Sequence, residues 1–366
     1  MSALVPAHIP EFLARLDRFI DAQLKPLEQA DDNARFFDHR REYERTDWAR
    51  EGLPSRAWEA LLAEARQLAH EAGFLAYALP GEYGGGDASN LDMAMVREHL
   101  AARGLGLHCD LQNEHSIVGN FPTTLAFRDF GSAQQRADFI PGSIAGTVAV
   151  AFGLTEPDHG SDATWLETTA VPETRDGIAG WSLHGSKMWT TGMHVATHVL
   201  LFARSTGEQG SARGITCFVV PTGSPGLQVD EWLWTFNMPT DHARVSVNNV
   251  WVPESAILGQ PELGLAVAQH FVHENRIRQA ASSLGTARYC IRESVAYARE
   301  RHTFGQPLAS NQGIQFRLAE MHADYELVKA LTFQVAAEMD QMAKPEVASR
   351  LSDKVAICNY RANRLA

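Results

Sequence analysis

The sequence predicts an α+β fold in three parts: an N-terminal helical domain (residues 1–128), a central β-barrel or sandwich domain (129–252) and a C-terminal four-helix-bundle domain (253–366) whose last helix is missing. Apolar residues recur at helical spacing in the first and last thirds of the chain and gather into short β-branched and aromatic runs between them. No internal repeat or low-complexity tract interrupts this order.

From Pro10 onward, Phe12, Leu13, Leu16, Phe19, Ile20 and Leu24 fall on one helical face, which Pro26 is expected to stop. A charged connection over 31–50 precedes helices at Trp58–His70 and Leu91–Ala102. Between those two helices the segment Leu79–Gly86 carries Pro80, Gly81, Gly84, Gly85 and Gly86 and reads as a loop. After Gly131, strands are expected at Thr147–Leu154, His198–Phe202, Ile215–Val220 and Ala243–Val252, among roughly six or seven in all. Beyond Pro253 the helices return, over 265–299, 312–342 and from 346 onward. In the second of them Ile314, Leu318, Met321, Tyr325, Val328, Thr332, Val335 and Met339 alternate spacings of four and three, a heptad seam that predicts bundle core. The last helix opens near Pro345 and still shows apolar positions at Val347, Leu351, Val355, Cys358 and Leu365 at Ala366, with no capping glycine. A bundle closes most readily with four helices, so the chain is expected to be truncated at its C-terminus or completed by another chain.

Composition narrows the function. Lys and Arg total 32 against 44 Asp and Glu, a formal charge of −12, and such a field repels nucleic-acid backbones. An anionic ligand can still be held by local arginines, backbone N–H groups or helix N-termini. Cys109, Cys217, Cys290 and Cys358 form no CxxC pair, which suits buried thiols in a reducing compartment and argues against structural zinc. His108, Cys109, Asp110, Glu114 and His115 lie close together, but their spacing fits no metal pattern, so no metal is expected. No apolar run reaches the roughly 18 residues of a membrane span, and acids occur too early for a signal or transit peptide. The expected location is cytoplasmic.

Three motifs stand out. Ala151–Asp162 is a strand running into a Pro/Gly turn with hydroxyls at both ends; alone it could be an ordinary turn capped by Asp158 and Ser161. Gly185–Gly192 is a strand ending in Trp189, hydroxyls and glycine, in which Trp189 could simply pack a core. Arg301-His302-Thr303-Phe304-Gly305 follows a helix, where Arg301 would suit the helix dipole.

Together these segments resemble the acyl-CoA dehydrogenase family over nearly the whole chain. Leu154–Asp162 matches the family pattern LTEPxxGSD, Lys187–Gly192 loosely matches KMWxTxG, and Glu300–Gly305 matches ERxTFG. Looser echoes occur at Pro80–Gly85, from Phe130-Gly131-Ser132 to Gln135, and at Val250-Trp251-Val252-Pro253. The resemblance implies an FAD flavoprotein of fatty-acid metabolism that removes the α-proton of an acyl-CoA thioester with a carboxylate while the β-hydrogen leaves as hydride to flavin. It implies a homodimer or homotetramer with FAD sites at the subunit interface, and an electron-transfer flavoprotein or another acceptor. A flavin needs a flat apolar surface, donors and acceptors at its pyrimidine edge, and groups for its pyrophosphate. By resemblance, Trp189 supplies the surface, Phe152, Leu154 and Thr155 meet the pyrimidine edge, and Thr191 lies near the reactive flavin nitrogen. Gly160 and Ser161 approach the pyrophosphate, whereas Arg301, Thr303 and Phe304, with Gln312 nearby, belong to the FAD site of a neighbouring subunit.

On the substrate side, Ser161, Asn275 and Arg276 occupy positions that in the family face the CoA thioester, and Arg276 could equally pair Glu274 or a helix end. The helix Leu91–Leu100 and the segment Asn113–Phe121 would line the acyl pocket. The sequence departs from the family at the catalytic base. The usual segment after the third bundle helix is absent, and the alternative position, just before Arg276, is Asn275, an amide with no useful basicity. Glu274 is one residue earlier, about 100° around a helix, so it is a weak candidate and the base is expected to lie outside this sequence. Two other readings stay open: an oxidase or monooxygenase of the same fold, and a non-catalytic flavin- or acyl-CoA-binding protein.

Overall fold

A computed structural model describes residues 5–109, 116–235 and 238–366. In chain order the elements are α1 (Ile9–Phe19), a π turn (Ile20–Leu24), α2 (Lys25–Gln29), β1 (Thr46–Asp47), β2 (Leu53–Pro54), α3 (Arg56–Glu71), α4 (Asn90–Ala101), α5 (Pro122–Phe130) and α6 (Ala133–Ile144). The sheet strands come next: β3 (Val150–Gly153), β4 (Thr169–Arg175), β5 (Ile178–Thr191), β6 (His198–Arg204), β7 (Ile215–Pro221), β8 (Leu227–Thr235), β9 (Met238–Pro253) and β10 (Ile257–Leu258). The chain ends with α7 (Gly264–Glu300), the short hairpin β11 (His302–Thr303) and β12 (Gln306–Pro307), α8 (Gln312–Asp340), α9 (Lys344–Arg350) and α10 (Ser352–Leu365). Among the described residues no helix is long and apolar enough to cross a membrane.

Two compact units result, one of Met1–Asn33, Glu64–Asn120 and Val272–Ala366, the other of Ala34–Ala63 and Phe121–Phe271. The first is helical. Its core joins Ile9, Leu91, Met95, Ile277, Leu284, Tyr325, Val335, Val355 and Cys358. α4 and α7 pass so closely that a Cβ on Gly285 would stand 2.3 Å from the Glu98 carbonyl oxygen and 2.7 Å from Ala101 Cβ, so only glycine fits there. The first turn of α4 is capped twice. Ser89 and Asp92 form a capping box, and the Asp340 carboxylate at the end of α8 accepts from Asn90 N–H at 2.8 Å and Leu91 N–H at 3.0 Å.

Three expectations need correction. Pro26 does not stop the first helical run: the π turn at Ile20–Leu24 carries the helical path onward, and Pro26 falls in the first turn of α2, where a missing N–H costs nothing. The heptad seam is core only in its second half, with Tyr325, Val328, Thr332, Val335 and Met339 buried, Ile314 and Leu318 half-buried and Met321 exposed. Cys109, Cys217 and Cys358 are buried free thiols, but Cys290 on α7 is exposed.

The second unit is built on one eight-stranded sheet in the order β10-β7-β6-β4-β5-β9-β8, with β3 also pairing β6. Val199, Leu201, Phe218, Val220, Val245 and Val247 form its core. β7 runs antiparallel along the whole of β6, so β3 and β4 share the other edge: β3 pairs with residues 198–201 of β6 and β4 touches it at Arg204. The chain between them, 154–168, leaves the sheet and returns, which places the first motif where the pairing along β6 passes from β3 to β4. The helices α5 and α6, which strand periodicity hid, precede β3. Asp340→Ala removes the acceptor for two N–H groups of α4 and is expected to cost about 1–2 kcal/mol in urea unfolding; an unchanged midpoint would contradict the capping role.

Candidate functional site

The first two motifs are joined by a buried ion pair. Lys187, on β5, donates to Glu156 Oε1 at 2.7 Å, with the two side chains 1% and 4% exposed. Glu156 also accepts from Glu167 N–H at 2.5 Å, from Thr168 N–H at 3.0 Å and from the Thr168 hydroxyl at 2.5 Å. One carboxylate therefore gathers the start of the turn, the entry to β4 and the middle of β5. Burial pushes the Glu156 carboxyl upward, but the Lys187 charge and these donors outweigh it and hold its pKa below the ordinary value. Burial lowers the Lys187 ammonium to about 8, the attraction of Glu156 offsetting part of the cost, so both partners are charged at neutral pH.

Two further bonds close the join. Lys187 donates to the Leu154 carbonyl at 3.3 Å, and Met188 N–H donates to the Thr155 carbonyl at 2.9 Å. Thr155 thus lies beside the strand segment that carries Trp189 and Thr191. There the β5–β9 register shifts between Lys187 and Thr190, and Trp189 takes φ +59°. That left-handed conformation is costly for a bulky residue, about 1–3 kcal/mol, and persists where the surroundings impose it. Its effect is to turn the indole outward, 44% exposed. Trp189 therefore does not pack the core, the alternative its sequence left open.

The remaining positions on this unit are also accessible. A Cβ on Gly160 would meet no chain atom within 4 Å, so no packing demand explains the glycine and its backbone is open to approach. Ser161 and Thr191 are exposed, and Leu154 and Thr155 half-buried. Phe152 is engaged through its ring, which stacks on Phe271 with centroids 4.1 Å apart. An exposed indole, a hydroxyl-bearing strand end and an open Gly-Ser backbone are the donor set and flat surface that a flavin dinucleotide requires.

The helical unit carries the other predicted positions. Arg301 directly follows α7 and is exposed, and Thr303 ends the first strand of the β11–β12 hairpin. Phe304 and Gly305 form its two-residue turn with φ +52° and +78°, both positive as a type I′ turn requires. Phe304 there is 106% exposed. Gln312, exposed, begins α8. A fully exposed Phe at a hairpin tip has no intramolecular packing reason among the described residues.

Near the start of α7, Glu274 is buried and bonded to Lys344 at 2.5 Å and Arg278 at 3.5 Å. Asn275 accepts from Asn120 Nδ2 at 2.9 Å, and Arg276 is exposed rather than paired with Glu274. Glu274 is thus a carboxylate engaged by two cations. In the cluster set aside as a metal site, His108 is buried, its Nε2 3.1 Å from the Gly104 carbonyl oxygen, and desolvation lowers it to about 4. Asp110, Asn113, Glu114 and His115 lie outside the described residues.

Family models of the acyl-CoA dehydrogenase N-terminal, middle and C-terminal domains match residues 31–147, 151–250 and 262–366. The chain belongs to the acyl-CoA dehydrogenase family. Acyl-CoA dehydrogenase FadE12 of Mycobacterium tuberculosis is 31% identical over 280 residues, 76% of this chain and 69% of that protein. The mitochondrial short-chain specific acyl-CoA dehydrogenase of Rattus norvegicus is 32% identical over 271 residues, 74% of this chain and 63% of that protein. Among solved structures, a glutaryl-CoA dehydrogenase of Mycobacterium smegmatis in complex with FADH2 superposes with TM-score 0.74 at 25% identity, covering 100% of this chain and 83% of that one. Acyl-CoA dehydrogenases are oxidoreductases that use FAD, and the fold here has the family's helical, sheet and helical parts.

Lys187 and Glu156 were not singled out by sequence reasoning, although both stand inside recognised motifs; two opposite charges within otherwise apolar strand ends were the available signal. Lys187→Met leaves a buried carboxylate uncompensated and is expected to cost about 3–5 kcal/mol, whereas Glu156→Gln with Lys187→Met recovers part of that loss. Equal unfolding midpoints for the single and double variants would contradict the pair.

Proposed function

We propose that the chain is an FAD-dependent acyl-CoA dehydrogenase that takes the α- and β-hydrogens from an acyl-CoA thioester. The observation that carries this reading is the outward Trp189, held in a left-handed conformation beside Thr155 by the Glu156–Lys187 join. A strained, exposed indole is costly unless a planar ligand covers it.

In this reading Trp189 offers the stacking face, and the backbone groups of Phe152, Leu154 and Thr155 meet the pyrimidine edge. Gly160 and Ser161 hold the pyrophosphate through N–H and hydroxyl donors, and Thr191 places its hydroxyl at the reactive ring nitrogen. When bound, FAD supplies the acceptor for the hydride that leaves the β-carbon. Ser161, Asn275 and Arg276 bind the CoA thioester end, Arg276 as an exposed cation suited to an anionic group. The α-proton goes to a carboxylate base other than Glu274, which is tied to Lys344 and Arg278.

The protein works as a homodimer or homotetramer, because Arg301, Thr303, Phe304 and Gln312 serve the FAD of a neighbouring subunit. Phe304, 106% exposed, supports that arrangement. Electrons pass on to an electron-transfer flavoprotein or a comparable acceptor. Trp189→Ala and Arg301→Ala are each expected to lower FAD retained through gel filtration several-fold, one by losing stacking surface and the other by losing a charge at the cofactor. Unchanged flavin content in both variants would reject the assignment.

A further inference from the structure

The environment of Thr191 carries an inference that rests on the flavin reading and goes beyond it. Thr191 Oγ1 lies 2.9 Å from His242 Nδ1, which reaches it from the neighbouring strand β9, where His242 pairs with Thr191. The same Nδ1 is 3.3 Å from Asp241 Oδ1. Asp241 is 3% exposed, and its Oδ1 has no hydrogen-bond partner among the described residues. The indole edge of Trp189 approaches the imidazole with ring centroids 6.2 Å apart.

These distances decide a direction. A buried carboxylate oxygen without a donor is costly, about 1–3 kcal/mol or more, and His242 Nδ1 lies 3.3 Å from it. The proton therefore belongs on Nδ1, where it is shared with Thr191 Oγ1 and its positive end lies toward the Asp241 carboxylate; a bare Nδ1 would set a lone pair 3.3 Å from Oδ1. With Nδ1–H as donor, Thr191 Oγ1 is an acceptor, and its own proton must point elsewhere. Among the described residues the acceptor on offer is the Trp189 carbonyl at 3.5 Å, the outer limit of a hydrogen bond. The hydroxyl proton is left directed at whatever covers Thr191.

We infer that His242 is a positioning residue for the flavin: its Nδ1–H, facing the buried Asp241 carboxylate, fixes Thr191 as a donor toward the reactive ring nitrogen. An outward O–H matches the lone pair that this nitrogen presents when oxidised and opposes the N–H that it presents when reduced. The pair thereby favours the oxidised cofactor and lowers its midpoint potential.

The test has two parts. In protein labelled with 15N-histidine, ring-nitrogen shifts report the His242 tautomer without any flavin, the signal being assigned by its loss in His242→Ala. Protonated Nδ1 is expected, and protonated Nε2 with bare Nδ1 would overturn the inference. In the FAD-loaded protein, His242→Ala frees Thr191 to rotate and is expected to raise the midpoint potential by about 30 mV, a tenfold change for a two-electron couple. His242→Asn, whose amide can donate from nearly the same point, should stay near the parent value, and Thr191→Val should abolish the effect of His242→Ala. A potential that His242→Ala leaves within a twofold change, with flavin bound, also overturns it. If the parent protein takes up no FAD, the flavin reading fails, and with it the role toward flavin, while the tautomer still decides the hydrogen-bond arrangement.

Discussion

The buried pair between Glu156 and Lys187 is the constraint on which the candidate site depends. Each charge is expensive inside the sheet unit and tolerable only with the other present and with the remaining lone pairs filled. The filling is supplied by Glu167 and Thr168, so the same carboxylate that neutralises Lys187 also pins the return of the motif turn to β4. Turn and strand end cannot move independently. The path of the chain beyond Lys187 is fixed by that join: Met188 bonds back to Thr155, the register slips, and Trp189 turns outward. Backbone strain at Trp189 and burial of two charges are both unfavourable taken alone. Their shared product is a rigid, exposed surface of the kind a planar cofactor needs.

The helical unit presents a different solution to a related problem. Its interior is closed by small residues and caps, with Gly285 letting α7 lie against α4 and Asp340 finishing the first turn of α4. Among its exposed apolar residues, Phe304, Phe316 and Met321 lie on the hairpin and the first half of α8. Single exposed apolar side chains are ordinary, but a phenylalanine at the tip of a two-residue turn is held out by its backbone, not by chance. The proposed subunit interface gives those positions a use.

Much of this was legible in the sequence, and the failures have physical causes. Long helices with steady periodicity, such as α3, α4, α7 and α8, were predicted within a few residues of their observed ends. α5 and α6 were overlooked although Pro122 stands at the first position of one and Ser132 with Gln135 forms the capping box of the other; their apolar spacing is too short to overcome the strand-like runs nearby. Pro26 was over-read because a π turn upstream is invisible to periodicity. The motifs stand out in the sequence, but the contacts that join them do not. Glu156 and Lys187 lie about thirty residues apart, and His242 about fifty beyond Thr191, so only the register of β5 with β9 and the turn brings them together. Spacing along the chain reports faces of one element, whereas these contacts are made between elements.

The central claim is that the surface held by Glu156 and Lys187 is a flavin site, and the most direct test is the visible spectrum and flavin-to-protein ratio of the unaltered chain after incubation with FAD and gel filtration, with oligomer mass recorded in the same run. The account predicts a yellow oligomer retaining close to one FAD per chain. A colourless protein of the same oligomeric mass would contradict it.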